Sequence, residues 1–202
     1  MAENKIVSLE KSHIQEGTVN LTEAFFPDPL MEFMAPDPAK RRKVSPWMWS
    51  SFLKYGVRWG VTERDATGKG ATMWLPPGQT TMTMTRLIRT PLIQVPFRLG
   101  LGGMMRFNSA MTLTEKAHKR LMPEPHWYLG CIGVHPSAQG TGIGSALLQH
   151  GLDRADAAKQ RVYLETATDY DVAFYSKRGF EVKETIEIEG LTARLMVRPA
   201  KT

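Results

Sequence analysis

Cysteine is almost missing from this chain: Cys131 is the only one in 202 residues. No internal disulfide can form, which excludes a disulfide-stapled fold and leads us to expect a reducing compartment, the cytoplasm. Long apolar runs are missing too. The most hydrophobic stretch, Leu87 to Met105, is broken by Arg89, Pro91, Pro96 and Arg98, so nothing reads as a membrane span. Glu3, Lys5, Glu10 and Lys11 interrupt any secretory or Arg-rich targeting pattern. Zinc, RNP-type and helix-turn-helix signatures are absent, as are repeats and low-complexity tracts. Acidic residues are outnumbered, giving a formal charge of +6, but the basic residues are spread out. Their one tight cluster, Lys40 to Lys43, is read as a solvated helix face. The expectation is a chain with no nucleic-acid partner, no membrane partner and no metal site.

What is present fits one domain over residues 1–202. Leu21, Ala24, Phe25, Leu30, Phe33 and Met34 have helical spacing, with Pro27 and Pro29 marking a break. Asp37-Pro38 and Ser45-Pro46 both look like helix starts, so one kinked helix or two short ones would fit before Tyr55. Val57 to Thr62 and Ala71 to Leu75 read as a hairpin ended by Pro76, Pro77 and Gly78. Residues 80–122 are the least legible part, and helical pieces are expected there. From Trp127 the signals sharpen: a strand to Val134, a glycine turn, a helix over Ser145 to Gln160 and a strand over Arg161 to Thr166. A short helix around Val172 to Lys177 and two strands meeting at Gly190 complete the chain.

The turn Gln139-Gly140-Thr141-Gly142-Ile143-Gly144 carries the most chemistry. A glycine turn feeding a helix presents backbone N–H donors and a positive dipole end to an anion such as phosphate. A Walker loop needs a lysine where Gly144 is followed directly by Ser145. The dinucleotide fingerprint needs a third glycine at position 145, and it follows its strand without the five residues His135 to Gln139 found here.

Those extra residues belong to a different pattern. Val134-His135-Pro136-Ser137-Ala138-Gln139-Gly140-Thr141-Gly142-Ile143-Gly144 resembles motif A of the GNAT superfamily of N-acetyltransferases. Asp171-Val172-Ala173-Phe174-Tyr175-Ser176-Lys177-Arg178-Gly179-Phe180 resembles that family's later Asn-x-x-Phe-Tyr-x-x-x-Gly-Phe block. Pro125 to Leu129 and Tyr163 to Thr166 resemble its puromycin N-acetyltransferase branch. The close resemblance covers residues 123–198. It implies an α+β fold: a mixed, mostly antiparallel sheet with one splayed strand pair and flanking helices.

The resemblance further implies acetyl-CoA as the acyl donor and a small-molecule amine as acceptor. A homodimer is left open. The pyrophosphate is assigned to Gln139, Gly140, Thr141, Gly142, Ile143, Gly144 and Ser145, and the pantetheine arm to the backbone of Ile132, Gly133 and Val134. Gly133 reads either as a bulge or ligand approach, or as a packing glycine. Phe174 and Asp171 belong to the second block, and Asp171 departs from the usual asparagine, so an ionised side chain there donates no amide hydrogen. Tyr175 matches the tyrosine that protonates or hydrogen-bonds the departing thiolate.

An alkylammonium of pKa about 10.4 is neutral only about once in 2,500 molecules at pH 7, so the reaction needs a base or desolvation. Glu165 is the favoured base or amine-positioning group, with His126 second. Cys131 reads as a small core residue. Phe25, Phe26, Trp74 and Tyr128, with part of residues 80–111, are the candidates for an acceptor pocket.

Overall fold

The computed structural model describes residues 4–201. The chain opens with β1 (Ile6–Ser8), then α1 (Ile14–Ala24), α2 (Pro29–Met34) and α3 (Pro38–Trp59). A hairpin of β2 (Val61–Asp65) and β3 (Gly70–Leu75) leads to α4 (Met84–Leu87) and α5 (Val95–Leu121). The second half holds β4 (Trp127–Val134), α6 (Ile143–Ala157), β5 (Val162–Thr166), α7 (Asp169–Ser176), β6 (Glu181–Ile188) and β7 (Leu191–Arg198). The strands form one sheet in the order β1-β2-β3-β4-β5-β7-β6, antiparallel throughout except between β4 and β5.

Caps set the helix starts. Asp28 accepts from the N–H groups of Leu30 (2.9 Å) and Met31 (3.4 Å), with Pro29 in the first turn of α2. Asp37 and Pro38 repeat this for α3. Ser45-Pro46, by contrast, starts nothing: α3 runs through it as one helix. Pro46 removes the donor to the Arg42 carbonyl, but burial of Met48, Trp49 and Leu53 holds the helix across the gap. The first strand of the hairpin begins later than Val57, because Val57 to Trp59 complete the last turn of α3 and Gly60 ends it. Residues 80–122 are helical as expected, with α5 kinked at Gly100 (φ 66°).

Helices cover both faces of the sheet. Leu21, Met48, Leu53, Tyr55, Met73 and Cys131 pack beneath α1 and α3. On the opposite face Trp74, Leu129, Leu148, Leu152, Tyr175 and Phe180 pack beneath α6 and α7. Complete burial of Leu148 and Leu152 stabilises the fold by about 1.5–3 kcal/mol each. Ala110 and Ala117 of α5 close the other end against Tyr163, Leu195 and Val197.

Two irregularities in β4 position the site. Met73 pairs with Cys131 and Trp74 with Leu129, so Gly130 is the extra residue of a β-bulge. The bulge switches the alternation: Trp127 and Leu129 face α6, whereas Cys131 faces α1 and α3. The second irregularity is the parallel join. β4 and β5 pair only through Trp127↔Val162 and Tyr128↔Tyr163, after which β4 continues along β3 to Val134 and β5 continues along β7 to Thr166. The sheet therefore opens into a fork.

Candidate active site

The phosphate turn lies at the end of the β4 arm. His135 N–H still bonds to Lys69 O (2.8 Å), and a single 3-10 turn, Pro136–Ala138, separates it from the glycines. Gly140 (φ 78°) and Gly142 (φ 88°) occupy the left-handed region, which L side chains enter at a cost. Thr141 Oγ1 donates to Ala138 O (2.6 Å) and Gln139 Nε2 to Val134 O (3.2 Å), so both side chains brace the turn. Gly142 is the N-cap of α6 and offers no side chain to the first turn. The ladder opens with Ala146 N–H to Gly142 O (3.0 Å), which leaves the N–H groups of Ile143, Gly144 and Ser145 directed out of the helix.

Room for a guest can be judged from what a side chain would meet. A Cβ on Gly140 would have nothing within 4 Å, and one on Gly144 would meet only Val134 Cγ2 at 3.5 Å. Packing thus does not require glycine at either place, and the backbone of both stays open to a ligand. The donors and the open space fit a pyrophosphate. Arg178 adds a cation: its guanidinium donates to Ser145 Oγ (2.6 Å) and Phe174 O (2.6 Å) and stacks on the Phe174 ring at 3.9 Å. Gly133 is decided by α1, since a Cβ there would come within 2.8 Å of Leu21 and 3.0 Å of Phe25. It is a packing glycine, and the bulge is at Gly130.

Tyr175 projects from α7 into the core beside the fork and is 7% exposed. Burial first, then the charges of Asp171 and Asp28, push its hydroxyl well above the ordinary range, so it stays protonated. Asp171 accepts from Thr166 Oγ1 (3.1 Å) and Thr168 Oγ1 (2.6 Å), which occupy the side chain within its own loop. Asp28 is pushed up to about 6, mainly by burial, against the pull of the Leu30 and Met31 N–H groups. Burial also drives the Cys131 thiol up to about 12, so it is neutral and a poor nucleophile.

Glu165 sits near the end of the β5 arm. Tyr163 Oη donates to Glu165 Oε1 (2.8 Å), and the hydroxyls of Thr114 and Tyr128 lie near enough to favour the ionised carboxylate. Burial outweighs these bonds and raises Glu165 to about 7, where a carboxylate can take and release a proton at neutral pH. His126 lies elsewhere. Its Nδ1 meets Glu124 O (2.6 Å), a pure acceptor, so Nδ1 carries the hydrogen; its Nε2 then accepts from His118 Nε2 (2.7 Å). Burial holds both rings neutral, His118 down to about 3, and His118 stacks on Tyr163 at 3.9 Å. With both nitrogens engaged, His126 presents no basic atom to a substrate.

Of the expected pocket residues, Tyr128 reaches Glu165, and Phe25 lies over Gly133 against Trp49 (4.4 Å). Phe26 is stacked under Arg42 at 3.8 Å. Trp74 is a correction: it is fully buried on the opposite face against Gly151, where a Cβ would fall 2.2 Å from its ring. Sequence reading missed Tyr163, Thr114 and Asp28. Tyr163 was within reach, because residues two apart on a strand share a face. Thr114 and Asp28 had no local signal.

A parallel strand pair opening inside an antiparallel sheet, with a glycine-started helix at the end of one arm, defines the class: an α+β fold of the acetyltransferase type. The Acetyltransferase (GNAT) family model matches residues 102–180. The fold is similar to that of a histone acetyltransferase HPA2 and related acetyltransferase from Corynebacterium glutamicum (24% identity, TM-score 0.66, covering 98% of this chain and 97% of that one). A Drosophila melanogaster polyamine N-acetyltransferase is similar at 14% identity and TM-score 0.68, covering 96% and 99%. By sequence, the chain is 25% identical over 201 residues to a probable serine/threonine-protein kinase of Dictyostelium discoideum; this covers 91% of the chain but spans only 21% of that protein's length. Among the described residues no group of His, Cys, Asp and Glu could hold a metal ion, and no helix is long and apolar enough to cross a membrane.

Proposed function

We propose that this chain is a single-domain, cytoplasmic N-acetyltransferase that moves an acetyl group from acetyl-CoA to a primary amine of a small molecule. The observation that carries this reading is the fork: one arm ends in outward backbone N–H groups, and the other holds a carboxylate that titrates near neutrality. Residues 139–145 and Arg178 hold the pyrophosphate. The β4 edge facing the fork, Ile132 to Val134, offers backbone groups to the pantetheine arm.

Acetyl-CoA supplies an acetyl thioester, which an amine can attack directly without a protein nucleophile. Glu165 takes the proton that the acceptor ammonium must lose. Tyr175, held protonated, donates a hydrogen bond to the departing sulfur as the C–S bond breaks, and the proton that the attacking nitrogen sheds as the amide forms passes to that thiolate, releasing free coenzyme A. Asp28 and Asp171 add negative charge that favours a cationic acceptor. A groove of about 380 Å³, lined by Pro29, Glu32, Phe33, Ala167 and Arg194 among others, opens beside the end of β5 and supplies a route for it. The Drosophila polyamine N-acetyltransferase catalyses the formation of N-acetylagmatine, which supports testing small cationic amines first.

The test is release of free thiol from acetyl-CoA across a panel of diamines, agmatine and arylalkylamines. Transfer to at least one amine, reduced by about a hundredfold in Tyr175→Phe, is expected. Acetyl-CoA binding without transfer to any acceptor would overturn the reading.

A further inference from the structure

Residues 66–114 contain no Asp or Glu, yet Lys69, Arg86, Arg89, Arg98 and Arg106 fall among them. Apart from Tyr170, the same stretch carries the most exposed large apolar side chains of the described residues: Phe97 is 88% exposed, Leu101 71%, Met84 67%, Met105 61% and Ile88 58%. Phe97 and Leu101 flank the kink at Gly100. Lys40 Nζ donates to Leu99 O (2.5 Å), so the basic cluster at the start of α3 lies against that kink. Within the cluster Arg41 pairs with Glu32 (3.2 Å) and Arg42 with Glu23 (2.7 Å). Among the described residues, Lys40, Lys43, Arg89 and Arg98 form no ion pair.

We infer that this face rests on an anionic lipid surface, with Phe97 and Leu101 entering the headgroup boundary and Lys40, Lys43, Arg89 and Arg98 lying over the phosphates and carboxylates. Charge and shape select this occupant. A second copy of the chain, docked through the same face about a two-fold axis, would bring unpaired cations against one another. A rigid partner needs a groove or a flat patch. Here the apolar side chains stand out into solvent, which suits a deformable layer. Among the described residues no helix is long and apolar enough to cross a membrane, which says nothing against resting on one. Phe97, Leu101, Lys43 and Arg98 are not among the residues placed at the fork, although residues 80–111 were expected to give part of the acceptor pocket.

The test is co-sedimentation of the full chain with vesicles of phosphatidylcholine containing about a third phosphatidylserine, beside vesicles of phosphatidylcholine alone. Binding to the first only, weakened by salt, is expected. Phe97→Ser with Leu101→Ser, and separately Lys43→Glu with Arg98→Glu, should each reduce the bound fraction about tenfold, with unchanged thermal unfolding midpoints. Four outcomes would overturn the inference: no binding to anionic vesicles, equal binding to neutral ones, full binding by both double variants, or a dimer in sedimentation velocity that Phe97→Ser with Leu101→Ser dissolves. Capture by poly-glutamate beads without vesicle binding would reassign the face to an acidic protein.

Discussion

The two arms of the fork are built by different means. The β4 arm works through backbone: glycines at positive φ, a helix start without a side-chain cap, and bracing bonds that stay within residues 134–141. Apart from Arg178 on Ser145 and Asn4, which donates to Thr141 O (3.2 Å), its parts are contiguous in sequence. The β5 arm works through side chains drawn from separate elements: Asp28 before α2, Thr114 from α5, Tyr128 from β4, and Tyr163 and Glu165 from β5. A backbone site recognises something all substrates of the class share, whereas a side-chain site can change its acceptor one residue at a time.

That contrast can be broken at several points. The largest effect is expected for Glu165→Gln: acetyl transfer should fall by about 10²–10⁴-fold, with the thermal shift produced by acetyl-CoA unchanged, as measured by thiol release and melting curves. Gly142→Val attacks the other arm. Forcing a β-branched residue to φ 88° costs about 1–3 kcal/mol, so acetyl-CoA binding should weaken about tenfold or more while the KM for the amine stays put. An equal loss of both in either variant would mean that the arms are not separable.

Tyr163→Phe sharpens the comparison by leaving Glu165 in place. The Tyr163 bond favours the ionised carboxylate, so removing it should move the acid limb of the pH–rate profile upward from about 7. Transfer would be several-fold lower at about pH 6 and near wild type on the alkaline side. The smallest effect concerns stability alone. His118 is held neutral down to about 3, whereas an unfolded histidine protonates near 6.5, so below about 6.5 the unfolded chain binds more protons and stability falls as pH drops. Glu165 and Asp28, raised in the fold, contribute the opposite slope. The difference between wild type and His118→Gln, followed by denaturant unfolding across pH, should therefore show a shallower acid loss in the variant.

The same contrast explains what could be read in the sequence. β4 matches its expected bounds, Trp127 to Val134, because alternation and the flanking Pro125 and Pro136 speak locally. The glycine turn and the cap at Asp37-Pro38 were equally local. The end of α3 was misplaced because Val57 and Trp59 carry β-like side chains that tertiary packing overrules. Trp74 read as a pocket candidate because the helix that covers it, α6, comes from a distant part of the chain. His126 looked free because its partner, His118, lies on another element, in the stretch whose pattern was least clear.

The bulge at Gly130 decides which face every later residue of β4 presents. Flattening it without removing a residue would exchange the two faces: Ile132 would take the place opposite Ala71 that Gly133 now holds, where Leu21 and Phe25 leave no space for even a methyl group. Tyr128 and Trp127 would keep their places, so the acceptor arm would survive with its opposite arm inverted.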